Sequence, residues 1–339
     1  MEKLVSVIIP CFNAQKWVAE AIDSCLKQTY PQIEIIVIDD GSTDNSLEIV
    51  KSYKDKVIWE TGANRGGNYA RNRGFTLSKG EYIQYLDADD YLLPEKIEKQ
   101  VQALEATKTD VVYGDWRYKK HLPNGNSFLE DIKTCGPKTD FLESLLANDR
   151  WVPPVALLFT RDIISRSSGW DENFKAAQDR DFLLSLAIDG AKFTYQPICH
   201  SIYRSHGKVT VSTTSKLHWL RSHCLVMEKA EKKLAQSGRL SLNYRQALAK
   251  AYFEMGREYL YGDSSNPENS KCWHYLQVLK KSLSVYPEFQ VTYRNIVYKL
   301  TQKYLGSSQS ELLAYVVTKV KKKISPQASE KFVQVQNSV

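Results

Sequence analysis

Over the first 115 residues the hydrophobic positions fall into short runs separated by amphipathic stretches. Val5–Pro10 is followed by Trp17–Leu26, Ile33–Ile38 by Leu47–Tyr53, Val57–Glu60 by Tyr69–Leu77, and Tyr82–Leu86 by Ile97–Leu104, with Val111–Tyr113 ending the series. β-rich runs alternating with helical stretches predict a mostly parallel sheet with helices on both faces. Val7-Ile8-Ile9 and Ile35-Ile36-Val37-Ile38 lack polar alternation, which suits strands covered on both sides. Residues 116–150 read as irregular, with a turn at Pro123-Asn124-Gly125. Val155–Phe159 predicts a strand, Phe182–Ile188 the apolar part of a helix starting near Gln178-Asp179, and Lys192–Tyr195 and Ile198–Arg204 two more strands. His206 to Thr214 is polar, rich in Ser and Thr, and reads as a loop and candidate lid.

From Leu217 onward the period is helical. Tyr252, Met255, Gly256 and Tyr259, then Leu279, Ser282 and Pro287, resemble the spacing of a tetratricopeptide helix pair with an overlong connection. One such unit is expected to pack on the main domain and not to stand as a solenoid. The expected division is therefore an α/β domain over 1–215 and a helical extension over 216–339. Leu312, Leu313, Val316, Val317 and Val320 beside Lys319, Lys321, Lys322 and Lys323 form a candidate basic amphipathic helix. A peripheral membrane contact and a plain docked helix both fit that pattern.

Composition changes the picture little. With 42% hydrophobic and 25% charged residues the chain reads as an ordinary folded protein. No apolar run approaches the roughly 18 residues of a membrane span, and Met1-Glu2-Lys3 leads straight into a strand, so neither a transmembrane helix nor a signal peptide is predicted. The cysteines (Cys11, Cys25, Cys135, Cys199, Cys224, Cys272) are widely spaced without a Cys-x-x-Cys pair, which predicts reduced thiols and a cytoplasmic chain. Net charge is +7 but uneven: residues 215–339 carry 20 Lys+Arg against 9 Asp+Glu, and residues 1–214 carry 26 against 30. A basic tail suits a solvated helical face or an anionic surface such as the inner face of the membrane. No nucleic-acid partner is expected.

The candidate chemistry lies just after the strand-like runs. Asn13 follows the first, Asp39-Asp40-Gly41-Ser42 the second, and Asp87-Ala88-Asp89-Asp90 follows Tyr82–Leu86. Ligands of open α/β sheets sit at the carboxyl ends of the strands, so these clusters are expected to line one cleft. Asp87 and Asp89 offer oxygen ligands of the kind Mg²⁺ or Mn²⁺ takes while bridging diphosphate. In Asp39-Asp40-Gly41-Ser42 a carboxylate can accept from the edge of a base, while Ser42 or Thr43 can equally cap a helix. Asn64-Arg65-Gly66-Gly67-x-x-x-Arg71-Asn72 supplies glycine and cationic side chains before a helix, but lacks the glycine spacing of dinucleotide folds and the ending of a P-loop.

Val5-Ser6-Val7-Ile8-Ile9-Pro10-Cys11-Phe12-Asn13, Asp39-Asp40-Gly41-Ser42-Thr43-Asp44, Ala70-Arg71-Asn72-x-Gly74, Gly80-Glu81-Tyr82-Ile83 and Leu86-Asp87-Ala88-Asp89-Asp90 together resemble the family 2 glycosyltransferases over about residues 4–206. The resemblance implies a GT-A, Rossmann-like α/β fold with a mixed, mostly parallel central sheet flanked by helices. It also implies inverting transfer from a nucleotide-sugar, with UDP the expected nucleotide. Pro10, Asn13 and Asp40 would surround the base with Arg71 nearby, Asp87 and Asp89 would lie at ribose, metal and diphosphate, and Phe12, Gly66 and Ala88 would join them in the nucleotide-sugar site. Asp89 would be the direct ligand of Mn²⁺ or Mg²⁺, joined by Asp87 and, in the segment Tyr203-Arg204-x-His206 that closes the family's donor site, by His206. A hydrogen-bonded structural histidine is the other reading of His206.

Inverting transfer needs a base to deprotonate the acceptor hydroxyl. The family places a Glu-Asp pair at a helix start after a Gly-aromatic-Asp-Glu segment; here Gly169-Trp170-Asp171-Glu172 is followed by Gln178-Asp179-Arg180-Asp181, with Gln178 in place of Glu. Asp179 is the expected base, kept ionised by the helix dipole, and Asp181 the alternative, with a first-turn structural role as its other reading. Trp170, Asp171 and Gln178 are candidate acceptor contacts, as is Trp151, although a core position is the commoner place for a tryptophan. The expected acceptor is a saccharide or lipid-linked hydroxyl in cell-surface polysaccharide synthesis. A catalytically degenerate nucleotide-sugar-binding scaffold that uses its helical C-terminus for interactions is the alternative. A sugar nucleotidyltransferase would want a Gly-rich basic loop where the chain has Pro10-Cys11-Phe12-Asn13.

Overall fold

The apolar runs become the buried strands of a computed structural model that describes residues 2–136, 140–206, 216–261 and 271–289. Strand β1 (Val5–Cys11) lies between β2 (Ile33–Asp39) and β4 (Tyr82–Tyr85), and β3 (Ile58–Thr61) pairs with β2, all in parallel. The sheet continues through β8 (Leu157–Thr160), β6 (Val111–His121), β9 (Phe193–Ser205) and β5 (Tyr91–Leu92), with β7 (Ser127–Leu129) paired to β6. β8 is antiparallel to both β4 and β6, β5 to β9 and β7 to β6, while β6 and β9 run parallel. The result is a nine-stranded mixed sheet in which most strands share one direction.

Alternation along the strands assigns the helices to opposite faces. Val5, Val7, Ile9, Ile35 and Val37 pack with Val18 and Ile22 of α1 (Val18–Leu26), Val50 of α2 (Ser46–Ser52) and Ile97 and Val101 of α4 (Lys96–Thr107). Ile36 and Ile38 point the other way, onto Ala70 of α3 (Gly67–Leu77). Contact there is so close that a Cβ on Gly74 would lie 2.3 Å from Ile8 Cγ2. A glycine is needed for α3 to lie this low on the sheet.

The segment read as irregular is partly ordered. β6 extends to His121 and turns at Pro123-Asn124-Gly125 into β7, an exposed hairpin whose mixed polar and apolar residues give no buried-strand pattern. Helix α5 (Phe141–Leu146) follows Asp140, whose Oδ1 accepts the Glu143 N–H at 3.0 Å. β8 starts at Leu157, after a single 3₁₀ turn over Pro154–Ala156, and runs into α6 (Arg161–Arg166). The two strands expected over Lys192–Tyr195 and Ile198–Arg204 are one, β9, whose pairing with β6 shifts register between Gly114 and Trp116. Helix α7 starts at Gln178 and ends at Ile188.

The chain forms two compact units, Met1–Leu240 and Ser241–Val339. Helix α8 (Lys216–Gln236) belongs to the first and packs on α7. In the second, α9 (Leu242–Tyr261) and α10 (Lys271–Val285) bury Tyr252 and Leu279, and Ser282 Oγ donates to the Ala249 carbonyl at 2.7 Å. The candidate lid beyond His206 and the basic segment around Leu312–Lys323 lie outside the described residues. Among the described residues no helix is long and apolar enough to cross a membrane.

Candidate active site

The loops after β1 and β2 are stitched together by Asn13. It takes a left-handed backbone, φ 50°, which places its Oδ1 to accept the Thr43 N–H at 2.8 Å while its own N–H donates to Ser42 Oγ at 3.0 Å. Asp40 is buried, and its two carboxylate oxygens accept the N–H groups of Arg65 at 2.8 Å and Gly66 at 2.7 Å. It thereby fixes the glycine loop that opens α3. Gly41 sits between these loops at φ +77°, with Asn64 N and Gly62 O each 2.9 Å from where a Cβ would stand. Pro10, next to the last residue of β1, pairs opposite Ile38, and Phe12 just beyond the strand is 49% exposed. An exposed aromatic edge next to oriented backbone amides can receive a flat base.

At the end of β4, the Asp-Ala-Asp run splits its carboxylates between two partners. Arg71 Nη2 donates to Asp87 Oδ1 at 2.6 Å, and Arg71 Nη1 to Asn68 Oδ1 at 3.2 Å. The guanidinium lies 4.5 Å over the Trp170 ring. Asp89 Oδ2 meets His206 Nε2 at 3.0 Å, with Ala88 buried between the two acids. Burial pushes the Asp87 carboxyl up, Arg71 opposes that, and the charges of Asp89 and Asp179 add to the rise.

Asp90 is buried, and its Oδ1 accepts the Arg204 N–H at 2.7 Å. Burial, reinforced by Asp89 and then Asp87, raises its carboxyl far above the usual range. Arg204 Nη2 reaches Glu20 at 2.5 Å across the Trp17 ring, which also stacks on His206 with centroids 5.8 Å apart. Trp17 is therefore the floor that holds His206 against Asp89. Glu20 and Trp17 carry no motif signal of their own; Arg204 was legible through Tyr203-Arg204-x-His206.

Asp179 is the second residue of α7, which Gln178 opens after Ala177 at φ 57°, and its Oδ2 accepts the Trp151 indole N–H. The Gln178 amide turns back to the Phe174 carbonyl at 3.1 Å. Asp181 and Asp171 are both claimed by Lys229 of α8, at 2.9 and 2.8 Å. Burial raises the Asp181 carboxyl against the pull of Lys229; at Asp171 burial is overruled by Lys229 and Asn173, and the carboxyl falls. Trp170 is 3% exposed, stacked on Phe182 with centroids 4.2 Å apart, and covered by Arg71. Its ring supports the Arg71–Asp87 pair and offers no open face to a sugar. Lys229 was invisible in the sequence because it acts across two helices.

No group of three or more His, Cys, Asp or Glu side chains among the described residues is arranged to hold a metal unaided. What the site offers is Asp89 with His206 beside it, while His206 Nδ1 is buried without a partner and Asp87 is shared with Arg71. One or two carboxylates completed by substrate phosphates is the ordinary Mg²⁺ arrangement, so this donor set fits a cation that arrives with a diphosphate.

The fold is that of the GT-A glycosyltransferases. Residues 6–153 match the profile of Glycosyl transferase family 2. An uncharacterized glycosyltransferase of Haemophilus influenzae is 33% identical over 218 residues, spanning 62% of this chain and 82% of its own. Glycosyltransferase GlyG of Streptococcus pneumoniae is 39% identical over 135 residues, which cover 38% of this chain but only 44% of that protein. The crystal structure of S. aureus TarS 1-349 in complex with UDP-GlcNAc superposes with a TM-score of 0.55 at 17% identity, covering 86% of this chain and 93% of that one. The chain belongs to glycosyl transferase family 2, and it is a glycosyltransferase.

Proposed function

We propose that the chain transfers a sugar, with inversion, from a UDP-sugar to a hydroxyl of a saccharide or lipid-linked acceptor used in cell-surface polysaccharide synthesis. The observation that carries this reading is that Trp151, whose indole N–H donates to Asp179 at the start of α7, packs edge to face on Tyr203, whose neighbour Arg204 holds Asp90 of the strand-end acid run. A UDP-GlcNAc complex of the structurally similar TarS supports the choice of UDP.

Asn13 and Asp40 hold the two loops that would clasp the base, with Pro10 and Phe12 as their apolar side. Gly66 lets the backbone come close, and Arg71 and Asp87 would orient the ribose and diphosphate. Asp89, with Asp87 and His206 near it, would hold Mn²⁺ or Mg²⁺, which neutralises charge on a departing diphosphate. On the other side Asp179 accepts the proton of the acceptor hydroxyl as its oxygen attacks the anomeric carbon. Gln178 and Asp171 flank this entry. Domain 1–215 with α8 against it would form the transfer unit, and the later helices, including the basic segment, would serve acceptor or membrane-surface contact at the inner face of the membrane.

A thermal-shift panel of UDP-, GDP- and dTDP-sugars with and without Mn²⁺ tests the donor, because a ligand bound only to the folded state stabilises it by RT ln(1 + [L]/Kd). UDP-sugars should stabilise the protein most, and only with the cation. Asp89→Ala should abolish the cation-dependent part; an unchanged titration would remove that residue from the site. Asp179→Asn should bind donor but lose transfer, and full transfer by this variant would end the assignment of the base.

A further inference from the structure

Trp151 was expected at the acceptor or in the core, yet its indole N–H is spent on Asp179 Oδ2. Resting on the base assignment above, we propose that Trp151 is the positioning residue of Asp179: it selects which carboxylate oxygen takes the acceptor proton. Asp179 has its other oxygen, Oδ1, 2.9 Å from the Arg180 N–H, at the mouth of the helix. Each carboxylate oxygen has two lone-pair sites, so one donor per oxygen fixes the plane of the group and leaves a defined site open.

The indole is itself held. It meets Trp116 edge to face at 5.0 Å and 89°, and Tyr203 at 5.3 Å and 85°. Tyr118 closes the block against Trp116 at 4.8 Å and Tyr203 at 5.5 Å. Aromatic pairs in this geometry have little rotational freedom, so the N–H direction is set by the sheet, not by the loop that carries Trp151. Tyr203 precedes Arg204, whose N–H holds Asp90. The same block therefore ties the base to the segments that carry Asp89, after β4, and His206, after β9.

In the step served, the hydroxyl proton passes to Asp179, the acceptor oxygen bonds to the anomeric carbon, and the bond from that carbon to the diphosphate oxygen breaks with its electron pair leaving on the diphosphate. A base that turns away from the hydroxyl loses rate without losing substrate affinity. An N–H donated to a carboxylate also favours its charged form.

The test compares Trp151→Phe with a benzothienylalanine at the same position, which keeps the indole shape and lacks the N–H. Both should lower kcat roughly 10- to 100-fold, less than the roughly 100- to 10,000-fold of a positioned base because the carboxylate itself remains, with KM for donor and acceptor nearly unchanged. A wild-type kcat in the benzothienyl protein overturns the proposal even where Asp179→Asn is inactive. Full transfer by Asp179→Asn overturns the base assignment itself, and the positioning role with it.

Discussion

Arg71 donates to Asp87 Oδ1 over 2.6 Å from a seat on the face of Trp170. The pair is half in the core and half in the cleft, so losing either member strands a buried group. Arg71→Met should leave Asp87 with nothing to offset its burial, costing about 3 kcal/mol in denaturant titration and weakening UDP binding at least about tenfold. Arg71→Lys keeps the charge but not the fork or the stack, and should fall between. Calorimetric titration of UDP on the three proteins checks the order.

Lys229 joins Asp171, which precedes the loop to Asp179, with Asp181, which follows it. Asp181 is 5% exposed, so Lys229→Met should destabilise the fold by about 1–2 kcal/mol, a figure reduced because the lysine itself is partly solvated. Asp181→Asn combined with Lys229→Met should be less damaging than the sum of the two. A double-mutant cycle in urea measures this, and strict additivity would show that the pair carries no coupling.

His223 of α8 is 8% exposed, and burial, with Arg180 adding to it, lowers its imidazole to about 4. Its Nδ1 lies 3.0 Å from the Trp219 carbonyl, so in the neutral ring that nitrogen carries the proton. The unfolded chain binds a proton near pH 6.5 and the folded chain only near 4, so this contribution to stability is complete above about 6.5 and is lost as pH falls to about 4. The total is about 3 kcal/mol. His223→Gln should flatten that part of the stability–pH curve, measured as Tm between pH 7 and 4.

Gly74→Ala places a methyl 2.3 Å from Ile8 Cγ2, so α3 must lift from the sheet. The expected cost is about 1–3 kcal/mol. Because α3 also carries Arg71, donor affinity should fall in the same variant. Ile8→Leu, which lacks the Cγ2 branch, in the Gly74→Ala background should recover part of both, read by thermal shift with and without UDP.

Much of this architecture was readable in advance because its first half obeys one rule. Strands buried on both faces have unbroken Val and Ile, and each ends in a polar cluster that burial cannot explain. The hairpin β6–β7 escaped because Lys120, Phe128 and Leu129 are exposed together, which erases alternation. Helix α5 was overlooked although Asp140 and Glu143 form a recognisable start signal. On the donor side, Asp40, Asp87 and Asp89 stand out by their places after strands, and Arg71 by the glycine-rich segment that opens its helix. The acceptor side was harder. Trp151, Trp170 and Lys229 take their roles from partners far along the chain, and no local spacing distinguishes an indole under an arginine from one holding a carboxylate.

The position of β8 has a consequence for synthesis. β4 is buried on both faces, yet the edge it shows to β8 can be paired only after the chain has reached Leu157–Thr160, more than seventy residues later. While the ribosome makes that stretch, the parallel half of the sheet carries an open, apolar edge of the kind that recruits other chains. Fragments ending before Leu157 should therefore self-associate, whereas those extending past β8 should stay dispersed, so the most hazardous moment in the life of this protein precedes its release.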